Sequence, residues 1–241
     1  MIEEKRGAND PDLLTVDAEQ VRVYIDKFAE LSEEGSCDGV TRLGYTALER
    51  EAHALFTDHF TSLGMACSTD TAGNTIATVE GADPNLPAIG TGSHLDSVPN
   101  GGRFDGIAGV AAAMALGMLF KSSSIRPRHT IRFVVFANEE GARFGQACIG
   151  SRLIAGLTNR ADLDSLRDRN GISVADAMRD IGLPPDLVEE ARWFPGELAA
   201  FIELHIEQGG VLAAGSKSVG IVDVISGSTR IAFDLHGIAS H

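Results

Sequence analysis

The sequence predicts an α/β protein: a three-layer mixed sheet with helices on both faces, followed by the start of a smaller α+β domain. Three observations lead there. Apolar runs of strand length alternate with stretches of helical periodicity. The run Ile131 to Ala137 is apolar almost without a break, as in strands buried on both faces. Ile107 to Phe120 follows a glycine-rich loop and carries small residues (Ala108, Gly109, Ala111, Ala112, Ala113), which would let a helix lie close to a sheet.

Taken in order, Asp10-Pro11-Asp12 can open a helix, and Val21 to Leu31 has apolar residues at helical spacing. Thr46 to Leu63 is predicted as a second helix, with Ala52, Leu55, Phe56 and Phe60 on one face. Thr75 to Val79 and Ala88 to Ser93 read as strands, and Ile131 to Ala137 as a third. From Ala155 to Pro195 the chain is polar, with short helices expected at Val174 to Ile181 and Pro185 to Arg192. Ala199 to Ile206 is expected as a further buried strand. Gly220 to Ile225 and Arg230 to Leu235, joined by Ser226-Gly227-Ser228, read as a hairpin. Residues 1–214 are therefore assigned to one domain and 215–241 to the beginning of a second, inside which the sequence stops.

Composition narrows the function. A net charge of −14 argues against nucleic acid and against anionic membrane surfaces, both of which require a basic face. No stretch approaches the roughly eighteen apolar residues of a membrane helix. The charged N-terminus leads into no signal-peptide core. Cys37, Cys67 and Cys148 are scattered and odd in number, so reduced thiols in a cytoplasmic protein are expected rather than disulfides or a cysteine zinc site.

The chemistry concentrates at three strand ends. The first is Gly92-Ser93-His94-Leu95-Asp96-Ser97, with Asp105 beyond a Gly-Gly loop. His94 and Asp96 are two apart and can share a face, and a carboxylate beside an imidazole fixes its tautomer. Asp105 opens the next helix and could bridge two cations. The second is Asn138-Glu139-Glu140, where one acid could bind metal while the other takes a proton from the attacking water. The third is Glu203-Leu204-His205-Ile206-Glu207. Alone, the first would be read as a surface turn, the second as a solvated loop or helix start, and the histidine of the third as a hydrogen-bonded core residue. Together His94, Asp105, Glu140 and His205 offer N and O ligands without a thiolate. That set suits Zn²⁺, Mn²⁺ or Co²⁺ and points to hydrolysis rather than a structural zinc.

The segments GSHLDSVPNGGRFDGIAGV, FANEEGARF, ELHIEQG and GIASH, with GVTRLGYT at 39–46, occur in an order that resembles the N-carbamoyl-L-amino-acid hydrolases, allantoate amidohydrolases and β-ureidopropionases. The resemblance runs from about residue 20 to the last residue. It implies a di-zinc exopeptidase-like catalytic domain followed by a lid and dimerisation domain, and two divalent ions as cofactor. By the same resemblance His94 and His205 bind one metal, Asp105 bridges and Glu140 binds the second. Glu139 is the general base and Asp96 orients His94. Gln208 contacts substrate. His241 polarises the scissile carbonyl, acting across a homodimer interface.

The implied substrate is a small ureido or carbamoyl acid: an N-carbamoyl-L-amino acid, allantoate or ureidopropionate. The family's sequences are longer. A last histidine ligand and an Arg and Asn that grip the substrate carboxylate are expected beyond residue 241, so these 241 residues should bind at most one metal well. The competing expectations are an aminoacylase or dipeptidase of the wider superfamily, and a non-catalytic metal-binding fragment. Retention of Glu139 argues against the last, because a binding protein needs ligands but no base.

Overall fold

A computed structural model describes residues 15–36, 39–123, 125–225, 227, 231 and 233–238. Backbone packing divides the chain into a unit that runs to Ile206 and a second that starts at Glu207.

In the first unit, helix α1 (Ala18–Glu30) begins where the Asp17 carboxylate accepts the Glu19 amide, and it turns Tyr24 and Phe28 inward. Helix α2 (Ala47–Ser62) begins where the Thr46 hydroxyl accepts the Glu49 amide, and it buries Ala52, His53, Phe56 and Phe60. Both coincide with the periodic stretches of the sequence. The helix start expected at Asp10-Pro11-Asp12 lies outside the described residues.

The sheet has the order β1 (Ala66–Thr69), β2 (Thr75–Val79), β4 (Ile131–Phe136), β3 (Ala88–His94) and β5 (Leu198–Ile202). The β1–β2 and β2–β4 pairs are antiparallel, whereas β3 runs parallel to both β4 and β5. This mixed topology decides where chemistry collects. The three parallel strands end on the same side, so the segments after His94, Phe136 and Ile202 leave the sheet together, where open α/β sheets bind ligands.

Helices α1, α2 and α3 (Ile107–Ser122) share one core with Ala77, Phe133 and Val135 of the sheet. Phe133 meets the Phe60 ring at 4.8 Å between centroids. On the other side of β4, Arg132 lies over Trp193 and Phe136 against Phe201. The small residues of α3 allow the close approach expected of them: a Cβ on Gly109 would stand 2.5 Å from the Leu204 carbonyl. A second core joins α4 (Ile149–Ile154), α5 (Arg160–Ser165), α6 (Val174–Asp180) and a 3₁₀ turn (Pro185–Ala191) to Tyr45, Ala72 and Ala137. The segment expected as a helix at 185–192 is thus wound more tightly, with proline at its start.

Two expectations fail here. The strand expected at Ala199 to Ile206 is shorter and not buried: β5 pairs only with β3 at the sheet edge, and Ala199, Ala200 and Ile202 are exposed. In the second unit, α7 (Val211–Ala214) is held by Glu207, whose carboxylate accepts the Val211 and Leu212 amides. The strand expected at Gly220 to Ile225 has no regular structure, and Arg230 and Ala232 of its expected partner lie outside the described residues. A hairpin needs further strands or a helix to bury its apolar face, and Ile221, Val222, Val224 and Ile225 are all exposed. Among the described residues no helix is long and apolar enough to cross a membrane.

Gly92 has φ +148°, and a Cβ there would sit 1.8 Å from the Val134 carbonyl oxygen. Gly92→Ala should therefore destabilise the fold by about 3 kcal/mol, read as a lower denaturation midpoint at unchanged slope. His53 is fully buried with Nδ1 2.8 Å from Thr75 Oγ1. Burial first, then the charges of Arg50 and Arg42, holds its pKa well below the ordinary 6.5. Between those two values the unfolded chain binds more protons. The stability His53 contributes is complete above about pH 6.5 and is lost as pH falls toward the folded value. His53→Leu should flatten the fall in melting temperature between pH 7 and pH 5.

Candidate metal centre

β3 delivers His94 as its last residue, and the loop after it returns through Asp105 to the start of α3. Gly106 makes that return possible. Its φ is +65°, and a Cβ there would come within 2.6 Å of the His94 ring. His205 arrives three residues beyond β5, in irregular chain. His94, Asp105 and His205 together could hold a metal ion, with one ligand atom from each lying within 4.8 Å of the others. Asp105 Oδ1 is 3.2 Å from His205 Nε2 and 3.8 Å from His94 Nε2.

Both imidazoles are set for ligation. His94 Nδ1 is 3.0 Å from the Asp96 carbonyl oxygen and His205 Nδ1 is 2.8 Å from that of Ile206. A carbonyl only accepts, so each Nδ1 carries a proton, and each Nε2 faces Asp105 as the atom that could ligate a cation in exchange for its own proton. Asp96 thus meets His94 mainly through its backbone, with carboxylate Oδ1 at 3.4 Å.

The Asp96 carboxylate has another task. Its Oδ1 accepts the Glu139 amide at 2.9 Å and its Oδ2 the Glu140 amide at 3.0 Å. The two preceding amides are also captured by buried side chains: Asn138 by Glu49 Oε1 at 2.8 Å and Ala137 by Asn74 Oδ1 at 2.9 Å. Arg42, fully buried, secures the other loop. Its Nε donates to the Leu95 carbonyl at 2.6 Å, and its Nη1 donates to Phe28 and Leu31 at the end of α1. Glu139 comes out of this frame with Oε2 at 3.6 Å from His94 Nε2, while the Cys148 thiol donates to Oε1 at 3.2 Å.

Negative charge dominates the centre. Burial alone would lower the His94 pKa, but Asp105, Asp96 and Glu139 outweigh it and raise it well above 6.5. Burial pushes the Glu140 carboxyl up to about 7, with His94 opposing and Asp105, Asp96 and Glu139 adding repulsion. Burial also lifts the Cys148 thiol to about 12, helped by Glu139, which keeps it a neutral donor. Four carboxyl groups around two imidazoles, all hard or borderline donors, fit a divalent cation.

Of the residues predicted from sequence, His94, Asp96, Asp105, Glu139 and His205 come together. Glu140 is adjacent through its amide bond to Asp96 but is not in the three-residue ligand group. Gln208 belongs to the second unit, and His241 lies outside the described residues. Sequence reasoning passed over Glu49, Asn74 and Arg42. Arg42 stood in the GVTRLGYT segment, where an arginine among apolar neighbours was the available signal.

Comparison with known proteins places the chain among relatives of known family. The model for peptidase family M20/M25/M40 matches residues 90–239. The chain is 42% identical over 217 residues to the N-carbamoyl-L-amino acid amidohydrolase of Geobacillus stearothermophilus, covering 89% of this chain and 53% of that protein. It is 32% identical over 233 residues to the ureidoglycolate hydrolase of Arabidopsis thaliana, covering 95% of this chain and 49% of that one. Among solved structures, a hydantoinase/carbamoylase family amidase from Burkholderia ambifaria superposes with a TM-score of 0.77 at 33% identity, covering 85% of this chain and 49% of the other. The chain spans about half the length of the curated relatives it matches.

Asp96→Asn tests the frame. A carboxamide must turn its NH₂ toward one of the two amides, leaving a buried donor unpaired at a cost of about 1–3 kcal/mol. The variant should melt lower and bind Zn²⁺ more weakly in a calorimetric titration.

Proposed function

The chain belongs to peptidase family M20/M25/M40, and on that premise we propose that it carries the metal-binding half of an amidohydrolase acting on a small ureido or carbamoyl acid. The observation that carries this reading is the convergence of His94, Asp105 and His205, with both Nε2 atoms presented toward one carboxylate oxygen. His94 and His205 would hold one ion and Glu140 a second, with Asp105 available to both; Zn²⁺ or Mn²⁺, and also Co²⁺, would suit these donors. When bound, such ions supply Lewis acidity to the substrate carbonyl and acidify the attacking water.

The protein groups do the rest. Glu139 takes a proton from water as its oxygen bonds to the ureido carbon. It returns that proton to the departing nitrogen as the C–N bond breaks. From a carbamoyl amino acid, cleavage of one C–N bond leaves a carbamic acid on the other nitrogen, and its breakdown to carbon dioxide completes the products: ammonia, carbon dioxide and the free amine. Asp96 keeps the Glu139 backbone fixed during both transfers. Gln208 contacts the substrate. His241, from a lid that begins at about residue 215, stabilises the oxyanion across a homodimer interface. Relatives named for N-carbamoyl-L-amino acids, ureidoglycolate and allantoate support this substrate class.

The test is hydrolysis by the full-length protein of N-carbamoyl-L-amino acids, allantoate and ureidopropionate, beside N-acyl amino acids and dipeptides. Chelation should abolish turnover of the ureido compounds, and added Zn²⁺ or Mn²⁺ should restore it. Glu139→Gln should lower kcat by about 10²–10⁴-fold with metal content unchanged. Turnover confined to the dipeptides, or an active Glu139→Gln enzyme, would overturn the assignment.

A further inference from the structure

Among the residues other than glycine that hold left-handed backbone are Tyr45 at φ +52° and Asn138 at φ +48°. One carboxylate holds both. Glu49 Oε2 accepts the Tyr45 amide at 2.6 Å and Oε1 the Asn138 amide at 2.8 Å, with Glu49 fully buried. A glutamate in the third position of a helix ordinarily reaches back to the amide of its own capping residue. Glu49 passes over Thr46, the N-cap of α2, and commits its two oxygens to one residue upstream and one on β4's exit. Helix capping does not explain that choice.

The turn at Asn138 does. β4 ends at Phe136, and continued extended chain would carry the next acids along the strand direction. The left-handed residue redirects the chain so that the Glu139 and Glu140 amides both face Asp96. Asparagine enters this region more readily than other non-glycine residues, chiefly where its short side chain hydrogen-bonds locally and holds it there. The Asn138 side chain provides no such hold: neither its oxygen nor its nitrogen has a hydrogen-bond partner among the described residues.

We propose that Glu49 is a positioning residue for the Glu139–Glu140 pair, its carboxylate locking the left-handed turn that aims both acids at the metal centre. This rests on the reading of Glu139 as base and Glu140 as ligand. A carboxylate is required, because the two amides need two acceptors and a glutamine supplies one.

The experiment uses the full-length protein with Glu49→Gln, alone and combined with Asn138→Gly. Glu49→Gln should lower both Zn²⁺ affinity and kcat by about tenfold while KM changes by less than about twofold. Glycine adopts left-handed backbone without being held, so the double variant should recover most of both losses. Wild-type Zn²⁺ affinity and kcat in Glu49→Gln would overturn the proposal. So would a loss that Asn138→Gly leaves unrepaired, since general packing damage would not be cured at that position. Glu139→Gln measured alongside separates the two readings. If it stays active, the base assignment falls, while Zn²⁺ titration of the Glu49 variants still decides whether the turn is held from Glu49.

Discussion

Four consecutive backbone amides, Ala137 to Glu140, are each accepted by a buried side-chain oxygen, and the geometry of the metal centre depends on them. β4 stops at Phe136, so these N–H groups leave the sheet ladder while still shielded from water. A buried donor without a partner is costly, and the fold answers with Asn74, Glu49 and Asp96. The three acceptors come from the β1–β2 turn, the first turn of α2 and the loop after β3. Segments far apart in sequence are thereby tied to the adjacent acids Glu139 and Glu140. The Asp96 carboxylate matters most here, because it joins the β4 exit to the loop that carries His94.

The same frame concentrates charge. The parallel strands β3, β4 and β5 end on one side, so their exits bring Asp96, Asp105, Glu139 and Glu140 around two imidazoles. Without a cation this arrangement would be repulsive, and the upward shift of the Glu140 carboxyl reflects both its burial and that crowding. Asp105 also lies at the start of α3, where the helix dipole favours negative charge. Arg42 is the nearby counterweight. Burial lowers its pKa to about 10, against the pull of Glu49 and Asp96, so it remains a cation at neutral pH while bracing the Leu95 carbonyl.

Much of the fold was legible in the residues. Phe56 and Phe60, four apart, declared the inner face of α2, and Ile131 to Phe136 declared a central strand, because apolar periodicity and burial are the same constraint seen twice. The shortest helices were not legible. α4 and α5 are six residues each, too short for a periodic signal, and hold their place by packing in the second core. β5 was read as buried from its apolar composition, but a strand's exposure depends on its neighbours, and β5 occupies an edge. Glu49 was invisible for a related reason. Within its helix it looks like an ordinary solvated acid of the first turn, and only the approach of Asn138 turns it into a buried acceptor.

The sequence by itself determined which groups are available: His94, Asp105 and His205, two adjacent glutamates after an apolar strand, and no thiolate among them. Ligand identity is a property of side-chain chemistry and survives in any conformation. The tertiary structure alone decided how those groups are aimed. Whether an imidazole offers Nε2 or Nδ1, and whether a carboxylate serves a histidine or two backbone amides, depends on which distant partner arrives within hydrogen-bonding distance. For Asp96 those partners are 43 and 44 residues away, a separation that no local pattern encodes.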